Sequence, residues 1–316
     1  MSQPLPCAYD AARQSRVASE MGARVKGKAL KSLLAAHEPT YMMEAHNGLS
    51  GLIVEEAGFP GIWASGLTIS ASLGVRDANE ASWTQVLDIV EFIADAVEVP
   101  ILFDGDSGFG NFNNVRRLVR KLCDRGIAGV SLEDKVFPKI NSFANSEQRL
   151  AEPKEFASRI RAAKDHQTNP DFCVIARTES FIAGAGLAEA LDRADCYLQA
   201  GADAILVHSK SSTADEVLAF AEAWRRRCPL VCVPTTYGAT PTSDLFAAGY
   251  GTIIWANHCL RAAMTAMRQV SRQILASNSA LSAESDIASV AEVLKITDMD
   301  ELIGAEHHYL GAARPQ

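Results

Sequence analysis

Short, nearly continuous apolar runs alternate along this chain with longer amphipathic segments. The runs span 41–45, 61–65, 100–104, 129–133, 172–177, 204–208, 229–235 and 251–256 and are rich in Val, Ile and Leu. Runs of that length without polar alternation predict parallel strands covered on both faces. Between them the spacing turns helical. Val115, Leu118, Val119 and Leu122 fall at i, i+3, i+4 and i+7, with Arg and Lys opposite. Val86, Ile89, Val90 and Ile93 repeat the spacing, and Val217, Leu218, Ala221 and Trp224 share a further helical face. Glycines at 126, 129 and 201 mark where helices close and strands open. Eight such alternations in roughly 220 residues predict an α/β protein built as a closed (β/α)8 TIM-type barrel, ahead of a doubly wound open sheet. No Gly-x-Gly-x-x-Gly follows the first strand, so nothing supports a dinucleotide site. Residues 1–30 read as an N-terminal extension, and 31–316 as a single barrel domain with C-terminal helices.

Active sites of such barrels gather at the C-terminal ends of the strands. Those ends are strongly polar here, and two of them are acidic. Ile101-Leu-Phe-Asp104-Gly-Asp106 ends one apolar run and Gly129-Val-Ser-Leu-Glu133-Asp134-Lys135 ends the next. Ionised carboxylates beside apolar strands are costly unless a cation or hydrogen bonds compensate them. Asp104, Asp106 and Glu133 are therefore candidate oxygen ligands for a hard divalent metal such as magnesium. The plainer alternative is that Asp106 caps a turn and Glu133 pairs with Lys135. Gly105, Gly108 and Gly110 predict a loop with positive φ at one of them at least. As a phosphate loop the segment lacks the Lys-Ser/Thr ending of a P-loop.

Other strand ends add chemistry. Trp63-Ala-Ser65-Gly66-Leu67 offers successive backbone N–H groups and a hydroxyl to an oxyanion, although a simple strand-to-loop turn would look similar. Arg177 follows a buried run, and its planar fork suits phosphoryl or carboxylate oxygens, against a simple salt bridge with Glu179. His208 also ends an apolar run. Asp77, in Gly74-Val-Arg-Asp77-Ala-Asn79, reads on its own as a turn or helix cap.

Composition narrows the function classes. The 316 residues are 48% hydrophobic and 22% charged, ordinary for a soluble globular protein. The expected partner is a small-molecule substrate, and a net charge of −8 with no separate basic stretch opposes nonspecific binding to nucleic acid or anionic membrane. The seven cysteines are odd in number and lack C-x-x-C pairing, which favours reduced thiols in the cytoplasm. Neither a span of about 20 apolar residues nor a secretory h-region is present.

Together these segments closely resemble the phosphoenolpyruvate mutase branch of the isocitrate lyase/phosphoenolpyruvate mutase superfamily, over about residues 31–302. The resemblance rests on Met43-Glu-Ala-His-Asn-Gly-Leu-Ser50, Gly74-Val-Arg-Asp-Ala-Asn-Glu-Ala-Ser-Trp83, Asp104-Gly-Asp-Ser-Gly-Phe-Gly-Asn-Phe-Asn-Asn114, Glu133-Asp-Lys-Val-Phe-Pro-Lys-Ile-Asn-Ser142, His208-Ser-Lys210 and Ile254-Trp-Ala-Asn-His258. Glu-Asp-Lys, five residues and Asn-Ser is the pattern specific to the mutase branch. It implies interconversion of phosphoenolpyruvate and 3-phosphonopyruvate, the first step toward phosphonates, with Mg2+ as cofactor.

The resemblance also implies roles. Asp104 matches the direct magnesium ligand, with Asp106 and Glu133 on its bound waters. Ser65, Gly66 and Leu67 match the segment that receives substrate oxygens, Trp63 walls the pocket, and Lys139 and Ser142 count among the substrate-binding residues. Asn141, Arg177 and His208 match residues around the phosphoryl group, and Asp77 the aspartate that receives or guides it. The loop from Lys135 to about Leu150 is expected to act as a lid that excludes water.

Carbon–carbon lyases of the superfamily carry a Cys-Gly-His segment in that loop, absent at 139–142 here. Phosphonopyruvate hydrolases have threonine where this chain has Asn141, so the asparagine favours the mutase. Family patterns differ at Ala64, Ser107 and Phe109, and residues 143–149 lack the Asp-Gly turn usual after Asn-Ser. Superfamily members exchange the last barrel helix between subunits, which implies a homotetramer of helix-swapped dimers. Residues 264–275 and 290–294 are candidates for that exchange. A phosphonopyruvate hydrolase and a noncatalytic metabolite-binding barrel are the alternative readings.

Overall fold

A computed structural model of the chain describes residues 22–144 and 147–311. Eight parallel strands close into a barrel in sequence order. They are β1 (Thr40–Ala45), β2 (Ile62–Ala64), β3 (Ile101–Asp104), β4 (Gly129–Glu133), β5 (Cys173–Thr178), β6 (Ala204–Val207), β7 (Leu230–Cys232) and β8 (Tyr250–Trp255). β8 pairs back onto β1 through Thr40 and Thr252, which leaves no free sheet edge.

A helix over residues 22–34 (α1) precedes β1. The helices that follow within the barrel unit are α2 (Gly48–Glu56), α3 (Gly66–Ser72), α4 (Trp83–Ala96), α5 (Phe112–Asp124), α6 (Pro153–His166), α7 (Gly186–Gln199), α8 (Asp215–Trp224) and α9 (Thr242–Ala248). The continuous apolar runs follow from this layering, since β3, β4 and β6 are buried at every position.

All eight expected strands form, with ends trimmed where the backbone cannot pair. The expected run 229–235 contributes only Leu230–Cys232. Pro229 and Pro234 have no N–H to give a ladder, and Thr235 N turns back to Val233 O at 2.8 Å.

The barrel interior is filled by Met42, Trp63, Leu102, Cys173, Ile175, Leu206, Val231 and Ile254, joined by Leu30 and Leu34 of α1. Leu30 lies against Gly129 at the start of β4, where a Cβ would stand 2.7 Å from its Cδ2. Lys26 Nζ donates to Val97 O at 2.6 Å, tying the helix to the end of α4. So α1 closes the end of the barrel at which the strands begin, and it crosses the boundary expected at residue 30. Residues 1–21 lie outside the described part.

The chain divides into two compact units between His258 and Cys259. The second holds most of α10 (His258–Ser277), then α11 (Val290–Ile296) and α12 (Met299–Leu310). Its Leu275, Leu281, Val290 and Leu310 are exposed. Among the described residues no helix is long and apolar enough to cross a membrane, and the described cysteines, which exclude Cys7, are free thiols.

Candidate active site

A cavity at the C-terminal ends of the strands is lined by Trp63, Ser65, Leu67, Asp77, Asp104, Lys139, Asn141, Ser142, Arg177 and His208, with Phe143, Thr235 and Asn257 completing the wall. Ten of the thirteen residues singled out from the sequence thus face one space, and the other three stand beside it. Gly66 adjoins Asp104, Asp106 carries Lys139, and Glu133 carries Arg177.

Asp104 ends β3, and the chain then turns sharply. Asp106 and Phe109 take left-handed conformations at φ 47° and 55°, a strained choice for residues with side chains. Gly108, at φ 88°, also leaves room for α5, because a Cβ there would stand 2.4 Å from Val115 Cγ2. Asn111 caps α5 and closes the turn. This geometry aims two carboxylates, adjacent on one turn, at Gly66. A Cβ on Gly66 would meet Asp106 Oδ1 at 3.0 Å and Asp104 Oδ2 at 3.3 Å. Gly66 N donates to Asp104 Oδ2 at 3.2 Å. The expected oxyanion loop 65–67 is in fact the start of α3, with Ser65 as its N-cap. The first N–H groups of a helix have no intrahelical acceptor; here Gly66 N serves Asp104 Oδ2 and Thr68 N the Ser65 hydroxyl, while Leu67 lines the cavity.

Carboxylates in this cluster outweigh their cations. Asp77, Asp104, Asp106, Glu133 and Glu179 are met by Lys135, Lys139 and Arg177, all of them buried or nearly so. Burial pushes Asp104 above its ordinary value, and carries Asp106 up to about 8 against the pull of Lys139. Glu133 Oε1 is buried without a hydrogen-bond partner, and Asp106 Oδ1 has only the Lys139 ammonium beside it. Excess buried negative charge, an orphaned Glu133 oxygen and an all-oxygen donor set fit a hard divalent cation held partly through water. Among the described residues no three such side chains converge closely enough to grip a metal by themselves.

Two loops meet over the cavity. Asp77, on the loop between α3 and α4, takes Lys139 Nζ at 2.6 Å on one oxygen and Asn141 Nδ2 at 2.5 Å on the other. Burial alone would raise Asp77, but Lys139, aided by Asn141 and Arg177, holds it below its ordinary value, so it is a carboxylate. Lys139 Nζ also stands 2.9 Å from Asp106 Oδ1. Asn79 stitches the same elements: its Oδ1 accepts from Lys139 N and its Nδ2 donates to Asp106 Oδ2, both at 2.7 Å. Asp77 is therefore no cap; Ser82 caps α4. The loop carrying Lys139 and Asn141 is clipped at its neck by an antiparallel bridge between Lys135 and Leu150, with Val136 N on Arg149 O at 3.0 Å. Asn145 and Ser146 lie outside the described residues.

The far wall is basic. Arg177 leaves β5 with Nε on Glu179 and Nη2 3.5 Å from Glu133 Oε2 and 2.7 Å from His208 Nδ1. Burial works against its charge, but Glu179, Glu133 and Asp104 outweigh it and keep Arg177 a cation. Burial and then Arg177 depress His208, which is neutral near pH 7 despite Glu179. Lys135 does not pair with Glu133 as the plainer alternative had it; its Nζ reaches Ser142 Oγ at 2.6 Å and Glu179 Oε2 at 3.3 Å.

Sequence reasoning missed Glu179 as more than a salt-bridge partner, and it missed Asn79. The available signal was spacing, since Arg177 near the end of β5 and Glu179 just past it sit two apart, as same-side residues of extended chain do.

Comparison with known proteins gives the same direction. The family model described as phosphoenolpyruvate phosphomutase matches residues 30–275. A phosphoenolpyruvate phosphomutase of Tetrahymena pyriformis is 52% identical over 282 residues, covering 89% of this chain and 94% of the relative. The crystal structure of a phosphoenolpyruvate phosphomutase from Streptomyces platensis subsp. rosaceus superposes with a TM-score of 0.88 at 44% identity, covering 90% of this chain and 99% of that one. A phosphonopyruvate hydrolase solved with oxalate and Mg2+ follows at a TM-score of 0.85 and 39% identity, with the same coverage.

Proposed function

The chain belongs to the phosphoenolpyruvate phosphomutase family, and from that premise we propose that it interconverts phosphoenolpyruvate and 3-phosphonopyruvate, the bond-forming entry to phosphonates. The observation that carries this reading is the closure of Lys139 and Asn141 onto Asp77 above the cavity. Isomerisation moves phosphorus from the enol oxygen to carbon without gain or loss of atoms, so water must stay out while the group is in transit.

Asp104 would hold magnesium directly, with Asp106 and Glu133 on its waters, and the ion would supply positive charge to the enol oxygen of the substrate. Gly66 and Leu67, at the start of α3, and Ser65 receive the carboxylate oxygens of the substrate, with Trp63 as the wall behind them. Arg177, neutral His208 and Asn141 surround the phosphoryl oxygens with donors, which a metaphosphate-like transition state requires. Asp77, ionised and held on both oxygens, guides the group from oxygen to carbon. Lys139 and Ser142 carry the loop's contribution to the pocket.

Exposed apolar side chains in the C-terminal unit, Leu275 and Val290 among them, support an exchange of helices between copies and a homotetramer of swapped dimers. The free thiols support a cytoplasmic location.

Phosphonopyruvate incubated with the protein and magnesium, and followed by phosphorus NMR, tests the proposal. Conversion to phosphoenolpyruvate is expected. Phosphate with pyruvate would make the protein a hydrolase, and an unchanged spectrum would leave a binding barrel.

A further inference from the structure

Glu179 is fully buried and its carboxylate faces two ways. Oε1 takes Arg177 Nε and lies 2.8 Å from His208 Nδ1, so it serves the basic wall of the cavity. Oε2 accepts from Ser142 Oγ at 2.7 Å and lies 3.3 Å from Lys135 Nζ, so it serves the loop above the cavity. Lys135 reinforces the loop side by donating to Ile140 O at 2.9 Å.

The backbone of Glu179 is fixed as well. Its N–H donates to Asp134 Oδ1 at 2.8 Å, and Asp134 Oδ2 accepts from Tyr197 at 2.7 Å and Arg193 at 3.2 Å. Arg193 Nη1 also holds Ala151 O at 2.8 Å, where the chain leaves the loop.

We propose that Glu179 is a positioning residue, a latch that makes closure of loop residues 136–144 and alignment of Arg177 and His208 a single event. This rests on the isomerase reading, in which donors should be set only once water is shut out. The carboxylate is essential to the device because each oxygen accepts from donors on its own side. An amide offers one accepting oxygen, and its NH2 would confront donors on the other side.

Amide hydrogen exchange at Val136, Lys139 and Phe143, combined with phosphorus NMR of turnover, tests the latch. Glu179→Gln is expected to speed exchange at those amides by roughly tenfold or more while strand amides keep their protection. Its kcat should fall by roughly 10- to 100-fold, with part of the phosphorus now lost to phosphate. Glu179→Asp, which keeps the charge, should recover part of both losses. Ser142→Ala should loosen the same amides, and the double variant Glu179→Gln/Ser142→Ala should be no looser than Glu179→Gln alone. Wild-type exchange, kcat and products in Glu179→Gln would overturn the proposal, as would independent, multiplying effects of the two substitutions. If Glu179→Gln does not fold, Ser142→Ala decides, and wild-type exchange in that variant overturns the latch. The exchange readout needs no turnover, so a wild-type protein that made no phosphoenolpyruvate would sink the isomerase reading while leaving the latch measurable.

Discussion

Asn141 Nδ2 donates to Asp77 Oδ2 at 2.5 Å across 64 residues of chain, and this bond joins the loop after α3 to the loop after β4. Its partner contact, Lys139 Nζ on the other oxygen, holds the carboxylate from both sides. The two loops therefore close over the cavity as a pair.

Removing the amide should open that pair without disturbing the barrel. Asn141→Ala is expected to lower isomerisation by roughly 100-fold, the usual cost of losing a donor aimed at developing charge. Phosphate should rise as a fraction of product. Phosphorus NMR reads both quantities, and a variant that isomerises at the wild-type rate would remove Asn141 from the chemistry.

Asp77→Ala probes the residue proposed to guide the transferring group. Turnover should fall by roughly 1,000-fold or more. Magnesium-dependent oxalate binding, measured by calorimetry, should persist, because Asp104, Asp106 and Glu133 are untouched and Lys139 keeps Asp106 at 2.9 Å. Undiminished turnover would end the role assigned to Asp77.

Protons and metal should compete at Asp106. Burial raises its carboxyl to about 8, so the metal-free folded protein keeps a proton that the unfolded chain has already released. The folded state then binds more protons than the unfolded one, and metal-free stability must fall as pH rises from about 4 to about 8. Asp134, pushed by burial up to about 6, contributes with the same sign over the lower part of that interval. Magnesium selects the ionised carboxylates, so its stabilising effect should grow over the same range, with release of a proton on binding. Melting curves at about pH 6 and about pH 8, with and without magnesium, check this. A magnesium effect independent of pH would contradict the assignment.

Gly66→Ala separates the proposed metal site from the fold. The added methyl would stand 3.0 Å from Asp106 Oδ1 and 3.3 Å from Asp104 Oδ2, while alanine suits the first turn of a helix. Magnesium affinity should weaken by roughly tenfold, and metal-free stability should change by less than about 1 kcal/mol. Calorimetric titration and thermal melting decide between this and a purely structural glycine.

The barrel was legible because each strand is buried on both faces, which prints a continuous apolar run into the sequence. The ends of those runs then located Asp104, Glu133, Arg177 and His208 with no knowledge of packing. Asp77 was opaque for the opposite reason. Its significance depends on Lys139 and Asn141, more than 60 residues away and on a segment without periodicity; only the resemblance to known mutases pointed to it. Ser65 to Leu67 was half legible, since the backbone donors are there but belong to a short helix that the run 61–65 did not announce. Glu179 looked like an ordinary salt-bridge partner because its link to Ser142 exists only once the loop has folded back.

The clip between Lys135 and Leu150 bears on how such an enzyme can diversify. It isolates the intervening stretch as an interchangeable cassette, whose length and wording can drift while the strands on either side keep their register. A phosphomutase, a phosphonopyruvate hydrolase and a 2-methylisocitrate lyase all stand among the relatives of this chain, and a stretch so clipped lets a barrel change its lid without changing its strands.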